Sequence, residues 1–291
     1  MALITMDDIE RISPVFKGER GNKLANKVLR LTGIDQLAVR YAKYEHLSGP
    51  EFVDAYLKDL GVNYEVGGLE NLAALSEGPF ITVSNHPYGG LDGLVLIDLI
   101  GHFRGDFKVM ANQFLTMVKT IKDNFISVVP NTKDVAAVSK ESVAGVRKTM
   151  SHLMEGHPLG VFPAGAVSDF RFRGCTIRDR EWQAPAIRLI QKMKVPIVPI
   201  RFFDRNSNLF YFLGLINWKV RILRLPRELL NKGGKQVRLG IGPVISVEEQ
   251  KKIPIEAFGK MLRNAVYGMD LSSVLQPRNL IKFDYLSRRI S

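Results

Sequence analysis

The segment Ser84-Asn85-His86-Pro87-Tyr88-Gly89-Gly90-Leu91-Asp92-Gly93 holds the pair of side chains best suited to move a proton. Histidine titrates near neutrality, so His86 can take a proton and return it within one reaction cycle. An Asp on the other ring nitrogen would fix the tautomer and stabilise the imidazolium. The glycines let the backbone fold tightly enough to bring Asp92 back onto His86, and they leave room for a substrate. A structural reading competes with this one: a loop histidine bonded to a carbonyl, with Asp92 as a helix N-cap. The spacing alone leaves both standing. The other histidines, 46, 102, 152 and 157, have no such setting. His152 and His157 straddle a predicted helix end and share no face, so no metal site is expected. Cys175, the single cysteine, has no suitably spaced histidine and reads as an inert thiol. Ser168, in GAVS, is not in a nucleophile elbow. Neither a P-loop nor a G-x-G-x-x-G run occurs.

His86 needs a strand before it and a helix after it, and the pattern supplies both. PFITVS (79–84) reads as a strand, and a helix is expected to start near Asp92 and run through GLVLIDLIG. Further strands are expected at 107–111, 125–130, 159–163, 195–203 and 235–242. Helices are expected at about 139–155, 185–193 and 256–269. In the first of these, Val143, Val146, Met150 and Leu153 are predicted to line one face. Residues 22–60 read as helical throughout, broken at Gly49-Pro50. Strands alternating with helices, the strands apolar almost without interruption, predict an α/β fold with a mainly parallel sheet flanked by helices. In such a sheet, sites form at the carboxyl ends of the strands, where His86 stands. The expected organisation is an N-terminal helical segment (1–67), an α/β domain (68–250), and a C-terminal helix and tail (251–291).

A chain of 291 residues with 46% apolar and 24% charged residues is long and apolar enough for a full core. One cysteine excludes a disulfide framework. The first residues, MALITMDDIER, carry acids where a signal peptide needs cationic and apolar runs. The longest uncharged run, Gly78 to Leu91, is too short to span a bilayer. The expected location is therefore cytoplasmic. The formal net charge of +12 favours phosphate-bearing or acidic partners: anionic lipid, coenzyme A, an acidic carrier protein or nucleic acid.

SNHPYGGLDG, LGVFPAGAVSDF (159–170), DREWQAPAIRLI (179–190) and KVPIVPIRFFDRNSNLFY (194–211) resemble, in order, the motif blocks of the lysophospholipid acyltransferase family. Its best-known members acylate 1-acylglycerol-3-phosphate. VPIVPI is nearly the family's block, and the likeness covers about 80–245. The departures resemble the hemolysin-like branch, which includes O-acyltransferases of ornithine lipid and related aminolipids. Five residues separate His86 from Asp92 where the main family has four. Asn131, Ala164 and Val167 stand where that family places an Arg, a Glu and an Arg.

The resemblance implies an O-acyltransferase that uses an acyl thioester, on acyl carrier protein or coenzyme A, and no bound cofactor or metal. His86 would be the general base and Asp92 its orienting acid. Asn85, Gly89, Gly90, Pro163, Ala164 and Gly165 would border the substrate, with backbone N–H groups at 163–166 on the oxyanion. With the main family's Arg positions lost, the acceptor is expected to be a lyso-aminolipid, met by Asn206 and Ser207; 1-acylglycerol-3-phosphate is the alternative. Arg171 and Arg173, in a basic cluster with Arg178 and Arg180, are either a solvated loop or a contact to donor phosphates.

Phe210, Phe212 and Trp218 beside Lys219 and Arg221 suggest an interfacial segment. The alternative is a buried helix. Peripheral attachment to the inner face of the cell membrane is the expectation. A non-catalytic basic membrane-binding protein is the competing class; no nucleic-acid motif supports a nucleic-acid partner.

Overall fold

The computed structural model describes residues 14–73, 75, 77–112, 118–128 and 140–283. Asn131 lies outside the described residues. The chain opens with helices α1 (Gly18–Thr32), α2 (Ile34–Tyr44) and α3 (Gly49–Asp59). There follow β1 (Tyr64–Gly67), α4 (Glu70–Ala73), β2 (Ile81–Ser84), α5 (Gly90–Phe103), β3 (Lys108–Ala111), β4 (Phe125–Ser127), α6 (Lys140–Met154) and β5 (Leu159–Val161). Next come β6 (Asp169–Arg171), β7 (Thr176–Arg178), α7 (Ala184–Met193) and β8 (Ile197–Phe202). Three short helices, α8 (Asn208–Ile216), α9 (Trp218–Leu223) and α10 (Leu225–Leu230), lead to β9 (Val237–Ile241), α11 (Val247–Lys251), α12 (Ile255–Tyr267) and β10 (Gln276–Pro277).

The central sheet runs β10-β1-β9-β8-β2-β5-β3-β4. From β8 to β4 all neighbours are parallel. The β9–β1 pair is parallel within itself but opposes β8, and β10 opposes β1. This is the mixed α/β fold with a mainly parallel sheet that the alternation predicts. Both faces are covered. Side chains of α2, α3 and α5 join one core cluster with Val198, Ile200, Val237 and Leu239. Leu153, Ile190, Phe258, Leu262 and Val266, from α6, α7 and α12, close the other face over Ile81, Val83 and Val161. Helix α5 is apolar almost all round and is buried between the sheet and α3. Its buried Asp98 is met by Arg278 Nε at 2.6 Å and the Tyr64 hydroxyl at 2.6 Å.

The segments on either side of residues 67 and 250 share cores: β1 pairs with β9, and α12 packs over β2. In α6 the buried face is Gly145, Thr149 and Leu153, while Val143 and Val146 are exposed. The physical reason is close approach. A Cβ on Gly145 would stand 2.5 Å from the Ser127 carbonyl oxygen, so small residues turn inward.

Candidate active site

Strands β2 and β5 are parallel neighbours, so the loops at their carboxyl ends emerge side by side. His86 stands in the first loop and Phe162 to Gly165 in the second. Gly89 takes φ +85°, a conformation open to glycine, and this turns the backbone N–H groups of Tyr88 and Gly89 onto Asp92 Oδ2 at 2.9 and 3.0 Å. His86 Nδ1 lies 2.8 Å from the same oxygen. The two readings of the sequence therefore coexist: Asp92 caps α5 and also faces the imidazole. Its side chain is wholly buried, and burial pushes the carboxyl above the usual aspartate range. The His86 contact and the two N–H groups pull the other way. Phe162 stacks on the imidazole, with ring centroids 4.3 Å apart, and holds its face. With Nδ1 turned to Asp92, Nε2 is the nitrogen left to exchange a proton.

A third loop locks the first two together. Asp179 Oδ1 accepts from the His86 backbone N–H at 3.1 Å and from the Ser168 hydroxyl at 2.6 Å. Its Oδ2 accepts from Trp182 Nε1 at 3.2 Å, and its own N–H donates to the Tyr267 hydroxyl at 2.9 Å. The Ser168 N–H donates to the His86 carbonyl at 2.8 Å. His86 is thus held from both sides of its peptide by residues about 80 to 90 positions later in the chain.

Two cavities meet at the histidine. One, of about 310 Å³, runs between β3, β5 and α7 and is walled by Val109, Met110, Val146, Val161, Phe162 and Leu189. The other, of about 390 Å³, runs toward α2, α3 and α10 and is walled by Leu37, Phe52, Leu91, Leu94, Ile121 and Leu225. His86, Gly89 and Asn112 border both. Both walls are overwhelmingly apolar, the character of small-molecule sites. Val146, exposed on α6, finds its place as cavity wall.

A family model described as "Acyltransferase" matches residues 22–270. The chain belongs to this acyltransferase family. It is similar to the lyso-glycine lipid O-acyltransferase of Phocaeicola vulgatus, with 26% identity over 283 residues, 94% of this chain and 95% of the relative. It is also similar to the lyso-glycine lipid O-acyltransferase of Bacteroides thetaiotaomicron, with 29% identity over 233 residues, 78% and 79% of the two chains. Among solved structures it has a partial likeness to the 1-acyl-sn-glycerophosphate acyltransferase PlsC of Thermotoga maritima. There the TM-score is 0.46 and the identity 17%, over 84% of this chain and 87% of that one.

In the acyltransferase, the site residues expected from sequence divide into those at the cavities and those turned away. Gly89 and Gly90 border the larger cavity, as does Asn206; Pro163 and Gly165 border the smaller. Ala164 is buried in the turn behind them, its carbonyl accepting from Gln183 Nε2 at 3.3 Å. Asn85 points into the sheet instead of at a substrate: its amide exchanges hydrogen bonds with the Phe202 backbone at 2.7 and 2.8 Å. Ser207 is the N-cap of α8, accepting from Phe210 N and donating to Glu228 at 2.6 Å, so it is committed to the scaffold. Arg171 and Arg173 lie on the β6–β7 hairpin and line neither cavity.

The interfacial segment is half corrected. Phe212, Trp218 and Lys219 are exposed, but Phe210 is fully buried, and Arg221 is buried against its ring and paired with Asp169. The exposed apolar row is instead Leu209, Phe212, Leu215, Ile216, Trp218, Val220, Ile222 and Leu223. Among the described residues no helix is long and apolar enough to cross a membrane. Asp179 was not legible from local sequence; D-x-x-W at 179–182 was the one signal for it.

Proposed function

We propose that this acyltransferase moves a fatty acyl group from an acyl thioester to the hydroxyl of a lyso-aminolipid of the glycine or ornithine type. The observation that carries the reading is the meeting of two apolar cavities at His86. A transfer that joins two acyl chains needs one channel for each and the reacting atoms at their junction. His86 Nε2 takes the proton of the acceptor hydroxyl as the oxygen attacks the thioester carbonyl. The carbonyl electrons move to oxygen, forming a tetrahedral oxyanion. Collapse restores the carbonyl, the C–S bond breaks, and the imidazolium returns its proton to the leaving thiolate. Pro163 has no N–H and that of Gly165 is spent on the Phe162 carbonyl at 3.0 Å. That leaves the N–H groups of Ala164 and Ala166 as the oxyanion donors this loop can offer. Acyl carrier protein or coenzyme A is the donor carrier in this reading.

The names of the two lyso-glycine lipid relatives support the aminolipid acceptor. So does charge: among the described residues lining the two cavities, Lys232 is the sole Lys or Arg, and the sole Asp or Glu, Glu228, is paired with Arg224. That matches one carboxylate better than a phosphate monoester, which carries about −1.5 to −2 charges near neutrality. The exposed row on α8 and α9 rests on the membrane surface in this reading, and Ile222, which belongs to it, also lines the larger cavity, so lipid enters there.

Competition in one tube tests the proposal. An N-(3-hydroxyacyl)glycine and 1-acylglycerol-3-phosphate are offered together with one acyl thioester. The expected ratio of kcat/KM favours the aminolipid by at least about tenfold. Equal or greater use of the phosphate acceptor would return the chain to phosphatidate synthesis, and consumption of neither would leave the non-catalytic class.

A further inference from the structure

The larger cavity has a polar end that the apolar chain of a lipid does not need. Lys232 stands there, only 5% exposed. Its Nζ donates to the Arg205 carbonyl at 2.6 Å and lies 4.6 Å from the centre of the Tyr88 ring. No carboxylate among the described residues comes within ion-pair distance of it. The nearest candidate, Glu228, is occupied: it accepts from the Ser207 N–H and hydroxyl at 2.8 and 2.6 Å and from Arg224 Nε at 3.1 Å. A lysine this buried normally has a counterion. Beside it, Asn206 turns its amide nitrogen to the Pro87 and Tyr88 carbonyls at 3.2 and 3.3 Å, which leaves Oδ1 buried without a donor. The Tyr88 hydroxyl is likewise buried and unpaired among the described residues.

We infer that Lys232, Asn206 and Tyr88 form an anion pocket for the free carboxylate of the acceptor's amino-acid head group. This rests on the acceptor class proposed above and adds the residues that select it. An N-(3-hydroxyacyl) amino acid carries its hydroxyl, its amide N–H and its carboxylate in that order along a short chain. With the hydroxyl at His86, the amide N–H meets Asn206 Oδ1, a buried acceptor that lacks a donor among the described residues. The carboxylate meets the Lys232 ammonium and the Tyr88 hydroxyl. The scaffold holds the lysine for this. The turn after α10 is pinned to the end of α3 by the Gly234 N–H on the Gly61 carbonyl at 3.0 Å, and a Cβ on Gly233 would stand 2.7 Å from the Leu60 carbonyl oxygen. Burial draws the Lys232 ammonium down to about 8, against the charges of Glu228, Asp92 and Asp204, which act to raise it. A bound carboxylate supplies the direct ion pair that none of these makes.

The test compares N-(3-hydroxyhexadecanoyl)glycine with its carboxamide, N-(3-hydroxyhexadecanoyl)glycinamide, on the full chain with one acyl thioester. Losing a charge-assisted hydrogen bond in a buried site costs about 10- to 100-fold in affinity. The unaltered protein should therefore prefer the carboxylate by about that factor. Lys232→Gln, which can still bond the Arg205 carbonyl, should abolish the preference through KM. The loss should fall on KM for the carboxylate acceptor, leaving the two acceptors with similar kcat/KM. Lys232→Arg should restore part of the preference. Equal use of both acceptors by the unaltered protein, or a preference that survives Lys232→Gln, overturns the carboxylate pocket while leaving the aminolipid reading intact. Turnover of neither acceptor alongside turnover of 1-acylglycerol-3-phosphate overturns both.

Discussion

Asp92→Asn separates the two roles that the structure combines in one side chain. In a catalytic triad the same exchange costs about 10⁴ because the amide turns and the histidine takes the wrong tautomer. Here the amide cannot turn. The N–H groups of Tyr88 and Gly89 both point at Oδ2, so the asparagine oxygen must take that place. The His86 tautomer is kept, and only the negative charge is lost. At about 4 Å between charge centres and an effective dielectric near 20, one carboxylate favours an imidazolium by about 4 kcal/mol. Solvent at the partly open ring reduces this, so kcat/KM should fall by about 10²–10³. Stability should not fall with it. Both cap bonds survive, and the removal of a buried charge offsets the cost of placing the amide NH2 where Oδ1 has no partner among the described residues. Asp92→Ala orphans two N–H groups, at about 1–3 kcal/mol each, and should melt clearly lower. The assay is thiol release with a saturating acceptor, beside thermal melting of all three proteins. An Asp92→Asn variant that melts normally and loses less than about fivefold in kcat/KM would reduce Asp92 to a helix cap.

Asp179→Ala should lower kcat by about 10- to 100-fold and stability by about 2–6 kcal/mol, since it strands the His86 N–H and the buried Ser168 hydroxyl; an unchanged kcat in a folded variant would show that the loop clamp is dispensable. Phe212→Ser with Trp218→Ser should halve or more the binding to anionic vesicles at unchanged melting temperature, whereas Phe210→Ala should cost about 3–5 kcal/mol of stability; global unfolding of the double variant would place those side chains in the core. At His102, burial opposes the charge, but the bonds and charge of Asp98 prevail and hold the imidazole above its ordinary value. A raised folded pKa stabilises fully below about 6.5 and ceases to as pH rises through the folded value, so the melting advantage over His102→Asn should grow from about pH 8 to about pH 6; a constant difference would contradict this.

What the sequence made legible was local. His86 and Asp92 are close in the chain and joined by glycines, so their contact follows from a turn that residue types can specify. The strands and helices around them follow from period and apolarity, with ends within a few residues. What was hidden depends on distant partners. Asp179 reaches His86 across 93 positions, and its register depends on the β6–β7 hairpin between them. Phe210 and Phe212 look alike in a helix that is apolar on every side, and only the packing of Arg221 on Asp169 and the Phe210 ring decides which one is covered. Lys232 lies in a turn of ordinary composition, and its isolation appears only once Glu228 is seen to be occupied.

Acyl transfer depends most on His86 acting as the base, and replacing it reads that out directly. His86→Ala removes a ring that bonds nothing essential to the sheet, so melting should change by no more than a few degrees. Acyl transfer from thioester to an N-(3-hydroxyacyl)glycine should fall by about 10²–10⁴, the range for a positioned general base. A folded His86→Ala protein that turns over at a near-normal rate would contradict the mechanism, because no other described side chain at the junction of the two cavities could take the proton.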